Sequence, residues 1–255
     1  MEEPKPGEMM KKIFSLTEDS ASHEEIRDRL VSGGRVTGTN LVVMICAIAI
    51  ASVGLNMNST AVIIGAMLIS PLMGSLLAMA YGSVSGDITI TENHTLGFIF
   101  QVIASIAVAT LYFVLSPVKA PTPEIIARTN PTFYDVIVAV FGGIAGIVGQ
   151  TRKDKANNIV PGVAIATALM PPLCVCGYAI ANRNLIMLGG AAYLFLVNAY
   201  FIFMAASVIL SLLKVPRVRE LTEKEWKRRN RIMVRNTIII IIPSIVFAFL
   251  MILES

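Results

Sequence analysis

Asn56-Met-Asn-Ser-Thr-Ala-Val-Ile-Ile-Gly-Ala-Met-Leu-Ile-Ser-Pro-Leu72 opens on asparagine, stays apolar over most of its length and carries a proline in the middle of a membrane-length segment. Asn157-Asn-Ile-Val-Pro-Gly-Val-Ala-Ile-Ala-Thr-Ala-Leu-Met-Pro-Pro-Leu173 does the same. At an offset of 101 residues the two register without gaps, over Asn56/Asn157, Val62/Val163, Ile64/Ile165, Leu68/Leu169, Pro71/Pro172 and Leu72/Leu173. The chain reads as duplicated, and the fold follows from where the duplication puts the two prolines.

With 55% hydrophobic and 15% charged residues, the chain has too little polar surface to cover a soluble globule. An all-α polytopic membrane protein is the class this composition predicts. The 21 Lys and Arg against 17 Asp and Glu do not point to nucleic acid, because most of the excess lies beside apolar spans. Cys46, Cys174 and Cys176 fall inside apolar spans, so neither a disulfide framework nor a metal spacing is indicated. His23 and His94 lack Cys or His neighbours and read as solvated or interfacial. No signal peptide is evident in the first 35 residues, so the amino terminus is expected to be retained.

Residues 1–38 are polar, and Ser22-His-Glu-Glu25 reads as a capping box opening a short helix that ends at Gly33-Gly34. That helix lies either on the bilayer or on the body of the protein. Apolar spans are predicted at 41–55, 59–83 with Pro71 inside, 95–116, 133–150, 158–181 and 185–213. The Pro-rich stretch 117–131 is the longest connection between spans, with room for a turn or two of surface helix. A basic linker, 214–235, carries a second capping box at Thr222 and Glu225 and leads to a seventh span, 232–253, containing Pro243. Three regions result: a short amphipathic segment, 1–38; a six-helix domain, 39–213; and the linker with its last helix, 214–255.

If every span crosses, six basic residues in the amino-terminal segment, three in the 151–156 turn and nine in the linker share one side. Only Lys119, Arg128 and Arg183 fall on the other. By the positive-inside rule the amino terminus is cytoplasmic and the carboxyl terminus external. A rival arrangement with re-entrant Pro segments places the 152–155 turn outside, against the charge bias.

Three crossings separate corresponding points of the duplication, so the second copy is inverted. Spans one to three and four to six become a 3+3 inverted repeat with two Pro-broken helices and an appended seventh helix. Paired broken helices in such halves point to a transport site. A proline in a helix interior removes one backbone hydrogen bond and clashes with the carbonyl four residues back, at about 3 kcal/mol or more. In hydrocarbon such a break survives only where protein or a wet cavity meets it. The freed carbonyls would belong to Met67 and its neighbours and to Thr167, Ala168 and theirs, with hydroxyls from Ser70, Ser75 and Thr167. Carbonyl ends opened in this way could hold a monovalent cation, and amide ends an anionic or polar group. The alternative for each proline alone is an ordinary kink.

Candidate solute-contacting residues are therefore Ser70, Pro71, Ser75, Thr167, Pro171, Pro172 and Asn198, with Asn58 and Asn157 at the mouths. For the asparagines at 56, 58, 157 and 158 the competing role is amino-terminal capping; for Asn198, and more weakly Gln101, it is interhelical hydrogen bonding. Tyr81 and Tyr178 flank the breaks or anchor at the interface. Gly142-Gly-Ile-Ala-Gly146 is a small-residue surface for close helix packing. Asp135 reads as interfacial. The absence of a central ionisable residue disfavours proton coupling through a buried carboxylate. No phosphate-cradling loop, Ser/His/Asp grouping or zinc-protease motif is present, so an enzyme is not expected.

Gly65-Ala-Met-Leu-Ile-Ser-Pro-Leu-Met-Gly74 and Gly162-Val-Ala-Ile-Ala-Thr-Ala-Leu-Met-Pro-Pro-Leu173 resemble the two signature segments of the domain of unknown function 389 family of prokaryotic membrane proteins, over roughly residues 37–213. Some members carry a larger soluble amino-terminal domain. The resemblance implies a multi-pass protein of a prokaryotic plasma membrane and supplies no substrate. A secondary transporter or facilitator for a small polar or ionic solute is the first expectation, without cofactor, with the bilayer and further copies of the chain as partners. An oligomeric channel and a non-transporting scaffold or lipid-binding protein, with the 214–235 helix on anionic lipid near Trp226, are the alternatives.

Overall fold

The computed structural model describes residues 19–153 and 159–218, together with 227, 228, 231, 234, 235, 237–240 and 242; of residues 159–168 it describes the backbone. Nine helices carry the described chain: α1 His23–Gly33, α2 Gly38–Asn56, α3 Thr60–Ile69, α4 Leu72–Ser85, α5 Ile88–Leu115, α6 Pro123–Ile126, α7 Phe133–Thr151, α8 Ile159–Ala181 and α9 Leu185–Leu212. Among them, α2, α5, α7 and α9 are long and apolar enough to cross a membrane, and α3 with α4 make a fifth such span if the 50° bend between them is taken as one broken helix. In α8, the segment Leu169–Ala181 is apolar and described in full.

Local chemistry sets the ends. Ser22 accepts from the Glu25 amide at 3.2 Å and starts α1. The expected box is only half made, because the Glu25 carboxylate turns to Arg29. Thr37 accepts from the Asn40 amide at 3.3 Å, so α2 begins three residues before the apolar run that predicted it. At α5 the difference is larger. Residues 86–93 read as a loop, yet Asp87 accepts from the Ile90 amide at 3.0 Å and carries the helix back to Ile88. Ahead of α7, Thr132 and Asp135 form a complete capping box, so Asp135 is a cap and not merely an interfacial charge.

The helix ends sort onto two opposite faces. On one, the Ala21 amide donates to Thr151 O at 2.7 Å and the Val218 amide to Ser85 O at 2.8 Å. On the other, Thr122 Oγ1 donates to Leu55 O and Tyr178 Oη to Lys119 O, both at 2.6 Å. Tyr178 is buried, tied to the 117–131 connection and packed edge-on against Phe113, so it is not an interfacial anchor.

Two helix pairs match in length and in the phase of their buried side. With Gly38 laid on Phe133, both α2 and α7 are 19 residues long. Met44, Ala47, Ile48, Ala51, Ser52 and Gly54 then fall on Ala139, Gly142, Gly143, Gly146, Ile147 and Gly149, and all are buried. With Ile88 laid on Leu185, α5 and α9 are both 28 residues long. His94, Phe98, Gln101, Ser105, Ala109 and Phe113 fall on Ala191, Phe195, Asn198, Ile202, Ala206 and Leu210, again all buried. The glycine surface of α7 packs internally: a Cβ at Gly143 would meet Ala205 and Ile202 of α9 at 2.9 Å.

Of the stretch expected to form a seventh span, the described positions 234, 235, 237–240 and 242 are helical. They lie along α9, where Tyr193 Oη donates to Ile240 O and Tyr200 Oη meets Thr237 Oγ1, both at 2.6 Å. Thr222, Glu225, Trp226 and Pro243 lie outside the described residues.

Candidate functional site

Proline forbids its predecessor the helical conformation unless tertiary packing overrides the clash. At the first proline the local rule wins. Ser70 sits at φ −74°, ψ 127°, which is extended backbone, and α3 stops at Ile69. The Met67 carbonyl, expected to be free, accepts from the Ser70 amide at 3.2 Å, and the Gly74 amide donates to Pro71 O at 3.1 Å. The carbonyls of Leu68 and Ile69 and the amides of Leu72 and Met73 are then the backbone groups the break releases. Beside them the Ser70 hydroxyl is shut off from solvent and has no hydrogen-bond partner among the described residues.

At the second proline pair packing wins. α8 continues as helix through Pro171 and Pro172, which corrects the expectation of two broken helices. The physical reason is burial: Leu169, Met170, both prolines and the residues through Ala179 are all enclosed, whereas Leu68 and Ile69 beside the first break are exposed. The packing around residues 169–179 holds the α8 backbone helical at a cost the half-exposed α3/α4 junction does not bear. Both α3 and α4 pack on α8, the helix that carries Pro171 and Pro172, and of the two proline segments only the first is open.

One turn below the break stands a buried polar cluster. Ser75 is 0% exposed, Gln101 2% and His94 6%. Ser75 Oγ lies 3.0 Å from Gly34 O and 2.9 Å from Gln101 Oε1, and His94 Nδ1 is 3.0 Å from the same Gly34 carbonyl. A hydroxyl has one proton, so if Ser75 donates to Gly34 it must accept from the Gln101 side chain, which then turns its NH₂ inward. His94 Nδ1 carries a proton when it donates to that carbonyl. His94 is thus neither solvated nor interfacial, correcting the reading of it as a surface residue. Its signal was available in the spacing of Ile90, His94, Phe98, Gln101 and Ser105, which line one face of a helix once residues 88–94 are counted as helical.

Asn198 on α9 is 3% exposed and matches Gln101 when α5 is laid on α9. The two amides stand one turn beyond Phe98 and Phe195, whose rings stack at 6.0 Å between centroids.

Of the predicted site residues, the structure gathers Ser70, Pro71 and Ser75 at the break, sets Pro171 and Pro172 on the helix packed against α3 and α4, and buries Asn198 on α9, which packs on α4, α7 and α8. The backbone of Thr167 lies in α8; its side chain and Asn157 lie outside what is described. Asn58 is not at this site. It turns the chain between α2 and α3 at φ 53°, a left-handed conformation asparagine tolerates, and its Oδ1 accepts from the Glu124 amide at 3.1 Å. Asn56 is likewise no helix cap: its Nδ2 donates to Ser116 Oγ at 2.6 Å.

Residues 67–204 match the family described as Domain of unknown function (DUF389), more than half of the chain, and the chain belongs to that family. Over 172 residues it is 29% identical to an uncharacterized protein of Methanocaldococcus jannaschii, covering 68% of this chain and 53% of that relative. The chain therefore spans about half the length of the curated relative it matches. No solved structure matches it. The family stretch takes in the break, the polar cluster on α4 and α5, the α8 prolines and Asn198, and leaves α1 outside.

Proposed function

We propose that the chain is a secondary transporter or facilitator, not an enzyme, that moves a small polar or ionic solute past the α3/α4 break in the plasma membrane of a prokaryote. In this reading α2 to α5 and α7 to α9 are two inverted halves, and the last helix is a seventh span. The amino terminus lies in the cytoplasm and the carboxyl terminus outside. Support comes from the matched lengths and buried phases of α2 with α7 and of α5 with α9. The distribution of charge agrees: Arg27, Arg29, Arg35, Arg152, Lys153, Lys214 and Arg217 fall toward one face, against Lys119, Arg128 and Arg183 at the other.

The observation that carries the reading is the open turn at Ser70-Pro71, with a hydroxyl closed off from solvent and unpartnered among the described residues. A buried donor left without an acceptor costs about 1–3 kcal/mol, and a passing solute or cation that meets it recovers that cost. Released carbonyls and amides on either side of the turn would accept a partner of either sign.

The test is flux. In proteoliposomes of the full chain, uptake of sodium, potassium, chloride, acetate or glycine is expected to saturate for at least one of the five. Ser70→Ala should lower that uptake by about three- to tenfold, the worth of one hydrogen bond. Absence of saturable uptake for all five, with unitary currents in a planar bilayer, would favour a pore. Saturable uptake unaffected by Ser70→Ala would move the site away from the break.

A further inference from the structure

Resting on the transport reading, we propose that α1 and α6 are a pair of equivalent gates, α1 closing the path at the face that carries Thr151 and α6 closing it at the face that carries Leu55. The alignment of α2 on α7 continues backwards without a gap into the segments ahead of both helices. Leu30 then falls on Ile125, Gly34 on Thr129 and Thr37 on Thr132.

Each of these pairs does the same work in its own half. Leu30 and Ile125 are buried apolar residues of two short helices, at 3% and 0% exposure. Thr37 and Thr132 are the N-caps of α2 and α7. The Gly34 carbonyl enters between α4 and α5, against Ser75 and His94. The Thr129 carbonyl lies so close on α9 that a Cβ at Gly190 would overlap it. With α5 laid on α9, Gly190 is the immediate neighbour of the residue that matches His94.

The anchors are exchanged between halves. α1 precedes the first half, yet Arg29 Nη1 donates to Gln150 O at the end of α7, in the second half, at 3.4 Å. α6 precedes the second half, yet Thr122 Oγ1 donates to Leu55 O at the end of α2 in the first. Leu55 and Gln150 are the same position when α2 is laid on α7. A short element tied to both halves registers any movement of one half against the other, and releasing it opens the face it covers.

The docking surface is also slight enough to let go. α1 is held by Ile26, Leu30 and the Gly33-Gly34 backbone, while Glu24, Arg27 and Asp28 remain exposed; α6 is a single turn. Elements with few buried apolar contacts are the ones that open locally. Here both are docked together, the arrangement of a path shut at each end.

Thiol reporters test the pair without reference to any solute. In the full chain reconstituted in vesicles, with Cys46 and Cys174 replaced by alanine, one reporter is Ser75→Cys beneath Gly34. The other is Ala191→Cys, a fully buried position beside the Gly190 that the Thr129 carbonyl meets, with Cys176 replaced as well. A charged maleimide is supplied on both faces. Leu30→Asp should speed labelling at the first reporter by about tenfold and leave the second slow, and Ile125→Asp should do the reverse. No acceleration by either variant, or acceleration of both reporters by one of them as in general unfolding, would overturn the paired gates. Face-selective labelling in vesicles that show no solute flux would set the gates apart from the transport reading, which alone would then fail.

Discussion

Replacing Pro71 by alanine is expected to lower solute flux by about a hundredfold while leaving thermal stability unchanged or raised. Alanine restores the amide that proline lacks and removes the constraint that holds Ser70 in the extended region. A continuous helix across 60–85 is then favoured by up to roughly 3 kcal/mol, about two decades in the population of the open turn. Proline in a helix is ordinarily a cost, so loss of function with gain of stability marks the break as functional. Pro172→Ala supplies the contrast. The backbone of α8 is already helical through that position, so less than about a threefold change in flux is expected. Equal effects at both prolines would mean that the two segments act alike despite their different geometry.

The second large effect is expected at two glycines that accept another segment's backbone. A Cβ at Gly74 would overlap the Gly33 carbonyl, and one at Gly190 the Thr129 carbonyl. Backbone cannot swing aside as the tip of a side chain can, so valine at either position forces α1 or α6 off its seat. Overpacking costs roughly 1–3 kcal/mol, and in a chain of this size each kcal/mol moves the unfolding midpoint by roughly 2–4 °C. Gly189, next to Gly190, has no atom within 4 Å of its Cβ position. Gly189→Ala should therefore be neutral or stabilising by up to about 1 kcal/mol, the helix propensity difference. Equal midpoints for Gly189→Ala and Gly190→Val, measured in the same detergent, would show that the Thr129 contact is not held in solution.

Much of this was legible in the residues because membrane helices announce themselves by length and apolarity. The bounds expected for the second, fourth, fifth and sixth spans agree with α3/α4, α7, α8 and α9 to within two residues at each end. What composition could not reveal is packing. Pro71 and Pro172 are alike in sequence, and only the enclosure of residues 169–179 against the exposure of Leu68 and Ile69 makes one a break and the other a helix interior. Asn58 looked like a mouth residue because asparagine opens the span; in the structure it is the left-handed turn itself. His94 was hidden by its threonine-rich surroundings, where β-branched residues disguised the first turns of α5. Ser75 was chosen for its hydroxyl, but its partner, the Gly34 carbonyl, lies 41 residues away in a segment with no apolar signal to place it.

The site and the gates both require that the two halves cross the bilayer in opposite directions. Single cysteines at Arg35, ahead of α2 in the first half, and Arg183, between α8 and α9 in the second, both exposed, report this directly in intact cells treated with an impermeant maleimide, with the native cysteines removed. Arg183→Cys should label from outside, and Arg35→Cys should label only after the membrane is opened. Labelling of both from the same side would contradict the inverted arrangement.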